Sequence, residues 1–582
     1  MLLTALVPPG LRAAQPAAEK NPFGVWAYMG AMPTLSQTPY VRGKLVKAAW
    51  ADLEPSPGEW TWNATALNAQ GRPKRAHRAS ITEEESTLGL DAELAAAAKA
   101  DLQIVVVVFS GSHAPSWVYD RGVPVVKTTG TRGVQSDTYP YYLNDTYQDL
   151  FRNMITKVRE HLETLPANIR QHILAVQAGF SSTGDYGPYH GKLIDDKFDI
   201  SSADWLAYYK KMALFYQAQY AATSPRIRLL FNPSNDPDES SGLIKWLNAN
   251  CPHAIIKAGN TGHMYQINGE RAQVQVLRSQ LFAQAGGDFL RARSEFGEES
   301  DTGGWLEAPA WNMYSLLQAA LYTGLDINCF ERGDAVLSDR QFFPAFKFFN
   351  QYAGLKDPAT IPGAWCALRD GLDAADTTRF PAEKFGEAKI GNRDRFLKIA
   401  ETFAANGAKQ GDPEGGMRNG IRNRSLNALN DVGWDIYRGN YEMFLEQIDA
   451  NATSTGHWRV GPKDQPYGRY ARGFEHAAGK DTLFFRLDPR FLTAGADKRA
   501  EVHIVYFDEG TGRWALRYQD ATGALKQAVE VQKKNTRRWQ EITVPLDDAG
   551  FGGKGPRGCD LQLQNTDAED DLFQLVEVLR RS

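Results

Sequence analysis

Apolar positions along the first 350 residues fall into short runs that alternate with helical spacings. PFGVWAYM at Pro22–Met29 reads as a first strand, and KLVKAAWADL at Lys44–Leu53 as a second. QIVVVVF at Gln103–Phe109 is the clearest strand, because four consecutive Val call for burial on both faces, as in a parallel sheet covered by helices. His172–Phe180, Ile227–Phe231, Ala254–Ala258, Phe289–Gly297 and Leu325–Phe330 complete a set of eight. Between them lie helical stretches, among them Asp91–Ala100, Tyr147–Leu165, Trp205–Tyr220, Leu243–Leu247, Ala272–Ala285 and Trp311–Tyr322, with Gln341–Ala353 closing the series. Within Tyr147–Leu165, Leu150, Met154, Ile155, Val158 and Leu162 form one apolar stripe. Eight strand–helix repeats over this length predict a (β/α)8 TIM barrel. An open doubly wound sheet would want a glycine-rich phosphate loop after its first strand. GAMPTLSQTPY at that point is not one.

The pattern then changes. Asp357 to about Gly433 is irregular and rich in Gly, Asp, Asn and Arg. Beyond it the alternation becomes two-residue. Glu501–Asp508 turns through GTGR into WALRYQ, and Trp539–Pro545 and Phe573–Leu579 alternate as well, predicting a β-sandwich or jelly roll. The expected organisation is therefore α/β followed by all-β: residues 1–20 a signal-peptide remnant, 21–356 a barrel, 357–435 an irregular connector packed on it, and 436–582 a sandwich. A short apolar stretch followed by small residues at the N-terminus points to a secreted or periplasmic protein.

Composition narrows the function. The 582 residues carry a net charge of −4 and no long basic run, which argues against nucleic acid. No run of 18 apolar residues predicts a membrane span. Cys251, Cys329, Cys366 and Cys559 lack metal-ligand spacing and read as buried thiols, with a Cys329–Cys366 bridge as the alternative. No HExxH, serine elbow or P-loop is present. No metal or cofactor is expected. With 14 Trp and 23 Tyr the chain is rich in aromatics, whose flat faces suit the apolar faces of sugar rings. The oligomeric state is not legible.

In a barrel of this kind the functional groups sit at strand C-terminal ends. Those ends bring Trp26 and Tyr28; Trp50, Asp52 and Glu54; His113 and Trp117; Asp185, Tyr186, Tyr189 and His190; Asn232 and Asp236; His263 and Tyr265; Glu295, Glu298 and Trp305; and Glu331 and Arg332. Carboxylates, amide and imidazole groups interleaved with aromatic rings describe a carbohydrate site. FLRARSEFG presents Glu295 at the tip of the seventh strand, with Arg293 two residues earlier on the same face, where it would keep that carboxylate ionised.

Three of these stretches carry a resemblance. AAWADLEPSPGEWTW is similar to the segment after the second strand of retaining barrel glycosidases. TGDYG resembles the acid/base tip of strand four in β-galactosidase-like families, and RSEFG the nucleophile tip of strand seven in cellulase-like families. Together they resemble the clan A glycoside hydrolases over roughly residues 22–355. The resemblance implies a retaining two-carboxylate mechanism, with Glu295 as nucleophile and Asp185 as acid/base, and a β-galactoside-like plant or algal glycan as substrate. Trp26, Trp50, Glu54, His113, Trp117, Tyr186, His190, Asn232, His263, Tyr265, Arg293, Trp305 and Glu331 would bind that substrate. Strand four departs from the family: Gly184–Asp185 stands where Asn–Glu is expected, leaving Glu54 and Asp236 as reserve acids. The competing readings are a degenerate barrel that binds glycans without turnover, and a polysaccharide lyase using Tyr or His as base.

Overall fold

Four valines in a row need apolar cover on both sides, and the computed structural model supplies it. The structure describes residues 21–28, 32–34, 36–63, 89–129, 138–181, 186–233, 242–257, 291–296, 309–330, 336–389, 391–406, 432–433, 439–458, 460–462, 470–492 and 499–581. Eight parallel strands form the N-terminal part: β1 Gly24–Ala27, β2 Val41–Ala49, β3 Gln103–Phe109, β4 Ile173–Gln177, β5 Arg228–Phe231, β6 Ile255–Lys257, β7 Arg291–Phe296 and β8 Ile327–Phe330. Each pairs with the next, and β1 pairs with β8, so the sheet closes into a barrel.

Helices follow most strands. They are α1 Leu90–Lys99, α2 Asp145–Thr164, α3 Ser202–Tyr220, α4 Leu243–Asn250, α5 Pro309–Tyr322 and α6 Phe343–Tyr352. The sequence dictates their ends. Asn144 caps α2 by accepting from the Tyr147 N–H at 3.0 Å, and Ser201 caps α3 by accepting from that of Asp204 at 3.1 Å. The stripe predicted for α2 is inward, with Met154, Ile155, Val158 and Leu162 buried and Leu150 partly so. The second strand is shorter at its C-terminal end than the alternation suggests. It stops at Ala49, and Trp50–Leu53 forms a single helical turn.

Besides a short parallel pair, Leu372–Asp373 with Val432–Gly433, the described C-terminal part is two antiparallel sheets. Their strands are β9 Gly363–Ala367, β10 Tyr441–Met443, β11 Leu445–Ile448, β12 Thr455–Trp458, β13 Tyr470–Gly473, β14 Thr482–Leu487, β15 Ala500–Phe507, β16 Arg513–Gln519, β17 Leu525–Gln532, β18 Trp539–Leu546, β19 Leu561–Asn565 and β20 Leu572–Arg580. One sheet runs β11-β14-β19-β16-β17. The other runs β10-β9-β20-β13-β12, with β15 also paired to β20 and β18 to β15. The period-two pattern of Ala500–Phe507 puts Val502 and Ile504 inside and half-exposes Glu501 and His503. The stretch read as an irregular connector holds more order than its composition suggests: β9 lies in it, as does helix Arg393–Thr402.

Barrel and sandwich share one hydrophobic core. The Phe348 ring of α6 meets Trp365 of β9 at 5.3 Å, and Tyr322 of α5 meets Tyr441 of β10 at 5.3 Å. Across the same seam the Tyr352 hydroxyl donates to the Glu577 carboxylate. All four cysteines are buried free thiols, so Cys329 and Cys366 are not bridged. Among the described residues no helix is long and apolar enough to cross a membrane.

Candidate functional site

Parallel strands all end at the same rim of a closed barrel, so residues distant in sequence converge there. Register fixes the level of each. Glu295 is the fifth of six residues in β7 and pairs with Cys329 of β8, which pairs in turn with Trp26 of β1. Arg293, one pleat lower, pairs with Ile327 and with Lys257 of β6. The backbone thus brings Glu295 to the last turn of the strand before the rim, with Arg293 in phase with it.

Side chains from β1 to β5 form one sector of the rim. Lys47 of β2 sets its ammonium 3.7 Å from the centre of the Tyr28 ring and 6.0 Å from that of Phe109, a cation–π arrangement. Phe109 ends β3 and meets the His113 ring at 5.3 Å. His113 is buried, and its Nδ1 lies 3.1 Å from the Ser112 hydroxyl. The Ser110 hydroxyl donates to the Gly179 carbonyl at 3.0 Å, tying the loop after β3 to the loop after β4. Gln177 closes β4 and Asn232 follows β5, both buried amides. Tyr186 is buried against Tyr209 at 5.4 Å, and its carbonyl accepts from the Trp205 indole. Tyr189 meets Tyr142 at 5.4 Å, and His190 beside it is half-exposed. Burial pushes the Tyr142, Tyr189 and Tyr208 phenols well above their ordinary range, so this aromatic wall stays neutral.

Four expected sugar-binding residues are committed to packing. Trp26 is fully enclosed, its indole donating to the Pro22 carbonyl at 3.0 Å and its ring lying on Gly43, where any β-carbon would clash. Trp50 is fully enclosed too, edge-on to Trp117 at 6.0 Å and packed on Tyr147 and Phe151 of α2. Glu54 is 2% exposed, and both of its carboxylate oxygens are taken. One accepts from the Trp50 indole at 2.8 Å, the other from the Gly58 N–H at 2.9 Å. Its carbonyl accepts from the Trp117 indole at 2.9 Å. The LEP segment is thus a structural knot that folds the chain back after β2. This removes Glu54 as a reserve acid and leaves no ring face of Trp26 or Trp50 for a sugar.

Asp185, Asp236, His263, Tyr265, Trp305 and Glu331 lie outside the described residues. Lys47 was missed, although a signal existed. It falls two positions after Leu45 on the strand face that carries Gly43, and a lysine in that phase near a strand's C-terminal end belongs to the rim set. Among the described residues no group of three or more His, Cys, Asp or Glu side chains is arranged to hold a metal ion.

What fold and rim define together is a closed eight-stranded parallel barrel with a C-terminal β-sandwich. Among solved structures the chain is similar to a β-galactosidase from the psychrophilic Marinomonas ef1, at 10% identity and a TM-score of 0.35, over 56% of this chain and 59% of that one. It is similar to rutinosidase from Aspergillus niger at 9% identity and a TM-score of 0.28, over 51% and 74% of the two chains. A third similarity, confined to 24% of the chain, is to the carbohydrate-binding module TmCBM61 in complex with β-1,4-galactotriose; it covers 87% of that module at 13% identity and a TM-score of 0.16. None of these likenesses by itself assigns an activity. Neither a protein-family model nor a curated protein sequence matches the chain.

Proposed function

We propose that the barrel rim is the active site of a retaining glycoside hydrolase acting on β-linked, galactoside-type oligosaccharides or polysaccharides. The observation that carries the reading is the level of Glu295: one residue short of the end of the seventh strand of a closed parallel barrel, in phase with Arg293. In this reading the Glu295 carboxylate attacks the anomeric carbon as the glycosidic C–O bond breaks. Asp185 gives its proton to the departing oxygen. Asp185 then takes a proton from water, which attacks the same carbon and releases Glu295, so configuration is kept. Arg293 holds Glu295 ionised. His113, His190 and Asn232 serve sugar hydroxyls, and Lys47 with Tyr28 forms the wall beside them. The mechanism needs a carboxyl pair about 5–5.5 Å apart.

The test is hydrolysis of an aryl β-galactoside followed by proton NMR at the anomeric position. The parent chain releases product first as the β-anomer, and Glu295→Gln lowers kcat by at least about a thousandfold with an unchanged folded spectrum. Initial release of the α-anomer rejects the retaining mechanism, and full activity in Glu295→Gln rejects the site. A pure glycan binder, the reading favoured by Gly184–Asp185 in place of Asn–Glu, binds the glycoside with no turnover in the parent chain. A lyase gives an unsaturated product that absorbs in the ultraviolet.

A further inference from the structure

Along the outer flank of the barrel, where α6 faces the sandwich, lies an open groove of about 640 Å³. Its volume falls in the range of small-molecule sites, roughly 300–1,000 Å³. One wall comes from the barrel: Tyr40 before β2, Arg340 just before α6, and Phe343 and Lys347 on α6. The other comes from β15 and β18 and carries Glu501, Glu541 and Thr543. Tyr40 and Phe343 meet edge to face at 5.1 Å, and both are only half-buried, so ring surface stays open toward the groove.

The chemistry of the walls selects among ligands. Arg340 and Lys347 can only donate hydrogen bonds, the carboxylates can only accept, and the Thr543 hydroxyl can do both. A ligand that bridges the two walls therefore accepts hydrogen bonds along one side and donates along the other, with a flat apolar face for the Tyr40 and Phe343 rings. Sugar rings have that character. Inorganic phosphate, almost wholly an acceptor, serves the Arg340 and Lys347 side but brings few donors to the wall of Glu501 and Glu541. Glu541 is also held in place by a neighbour in the same groove. His503 puts Nε2 2.9 Å from Glu541 and Nδ1 3.1 Å from Glu577, so both of its ring nitrogens are engaged and it orients an acceptor rather than reacting.

We propose that this groove between barrel and sandwich is a second glycan-binding site, for a neutral oligosaccharide, separate from the barrel rim. The proposal rests on the reading above that the chain's ligand is a carbohydrate, but not on Glu295 or on turnover. The site would hold a long substrate against the flank of the barrel while its end is worked on at the rim.

The experiment titrates the full chain carrying Glu295→Gln with β-1,4-galactotetraose and with cellotetraose by calorimetry, alone and combined with Tyr40→Ala or with Glu541→Gln. Tyr40→Ala removes only the ring, since the Tyr40 backbone carbonyl accepts from Asn350 and is kept. The expected result is about a tenfold loss of affinity in each double variant. Hydrolysis of a short aryl glycoside should be unchanged when the groove substitutions stand in the parent chain. Unchanged affinity in both double variants, or no binding of either tetraose, overturns the proposal. Groove-dependent binding in a chain that hydrolyses no glycoside sustains it while removing the catalytic reading. Turnover at the rim with binding indifferent to the groove does the reverse.

Discussion

Raising the pH should loosen the sandwich through one residue. His503 lies on β15 between Glu541 of β18 and Glu577 of β20. Burial alone would lower its pKa, but hydrogen bonds and charge attraction from the two carboxylates override it and raise the imidazole from 6.5 to about 9. Glu541 is held low in return, first by its hydrogen bond to His503 and further by the nearby charge of Lys347. A basic group with a raised folded pKa stabilises the fold fully below its unfolded pKa near 6.5, and that contribution is lost as pH rises through about 9. At ~1.36 kcal/mol per pH unit the rise caps the effect at about 3 kcal/mol. Glu541 is 60% exposed, and solvent screening brings the expected value down to about 1–2 kcal/mol. Glu577 also accepts from Tyr352 of α6, so the loss should be felt at the seam with the barrel. The assay is urea denaturation of the parent chain and of His503→Gln, followed by tryptophan fluorescence at pH 6 and pH 10. The parent should exceed the variant by that amount at pH 6 and match it at pH 10. A stability difference that stays constant across this range refutes the ion network as its source.

Other perturbations separate chemistry from scaffolding. Glu54→Ala strands the buried Trp50 indole without its acceptor, and should destabilise by about 1–3 kcal/mol in a thermal melt, with loss of activity no greater than loss of folded protein. Trp50→Ala, emptying a fully enclosed site among Trp117, Tyr147 and Phe151, should cost about 3–5 kcal/mol in urea titration. Lys533 and Asp571 form a wholly buried pair at 2.6 Å in the sandwich. Lys533→Met leaves the carboxylate uncompensated and should cost about 3–5 kcal/mol, whereas Lys533→Met with Asp571→Leu should recover most of it. Lys47→Ala removes the cation from the Tyr28 ring; with a glycoside substrate it should raise KM while circular dichroism stays unchanged.

Barrel strands were legible because burial on both faces writes continuous apolar runs, as in β3, and because strand, helix and strand recur at even spacing. The sandwich was legible from alternation in β15 and β18. What resisted reading was the purpose of polar and aromatic residues near strand ends. Trp50 and Glu54 fit a sugar site by type and position, and nothing in a linear sequence shows that the carboxylate closes onto the indole four residues away. Lys47 shares the strand face of Gly43 and Leu45, a phase legible in the sequence, but its contact with the Tyr28 ring just past the neighbouring strand is not. β9 was hidden because its partner, β20, lies far along the chain, so no local turn signal marks it.

That last pairing bears on how the protein comes into being. Gly363–Ala367 pairs antiparallel with Leu575–Leu579, and β15 lies on the other edge of the same strand. A growing polypeptide must therefore hold β9 open while roughly 200 further residues are added, since contacts so distant in sequence form late. During synthesis the barrel can close first, with the apolar side of β9 and the Phe348–Trp365 contact beside it awaiting their final strand. The interval between those two events is when a folding helper, or an aggregate, has its best chance to take hold.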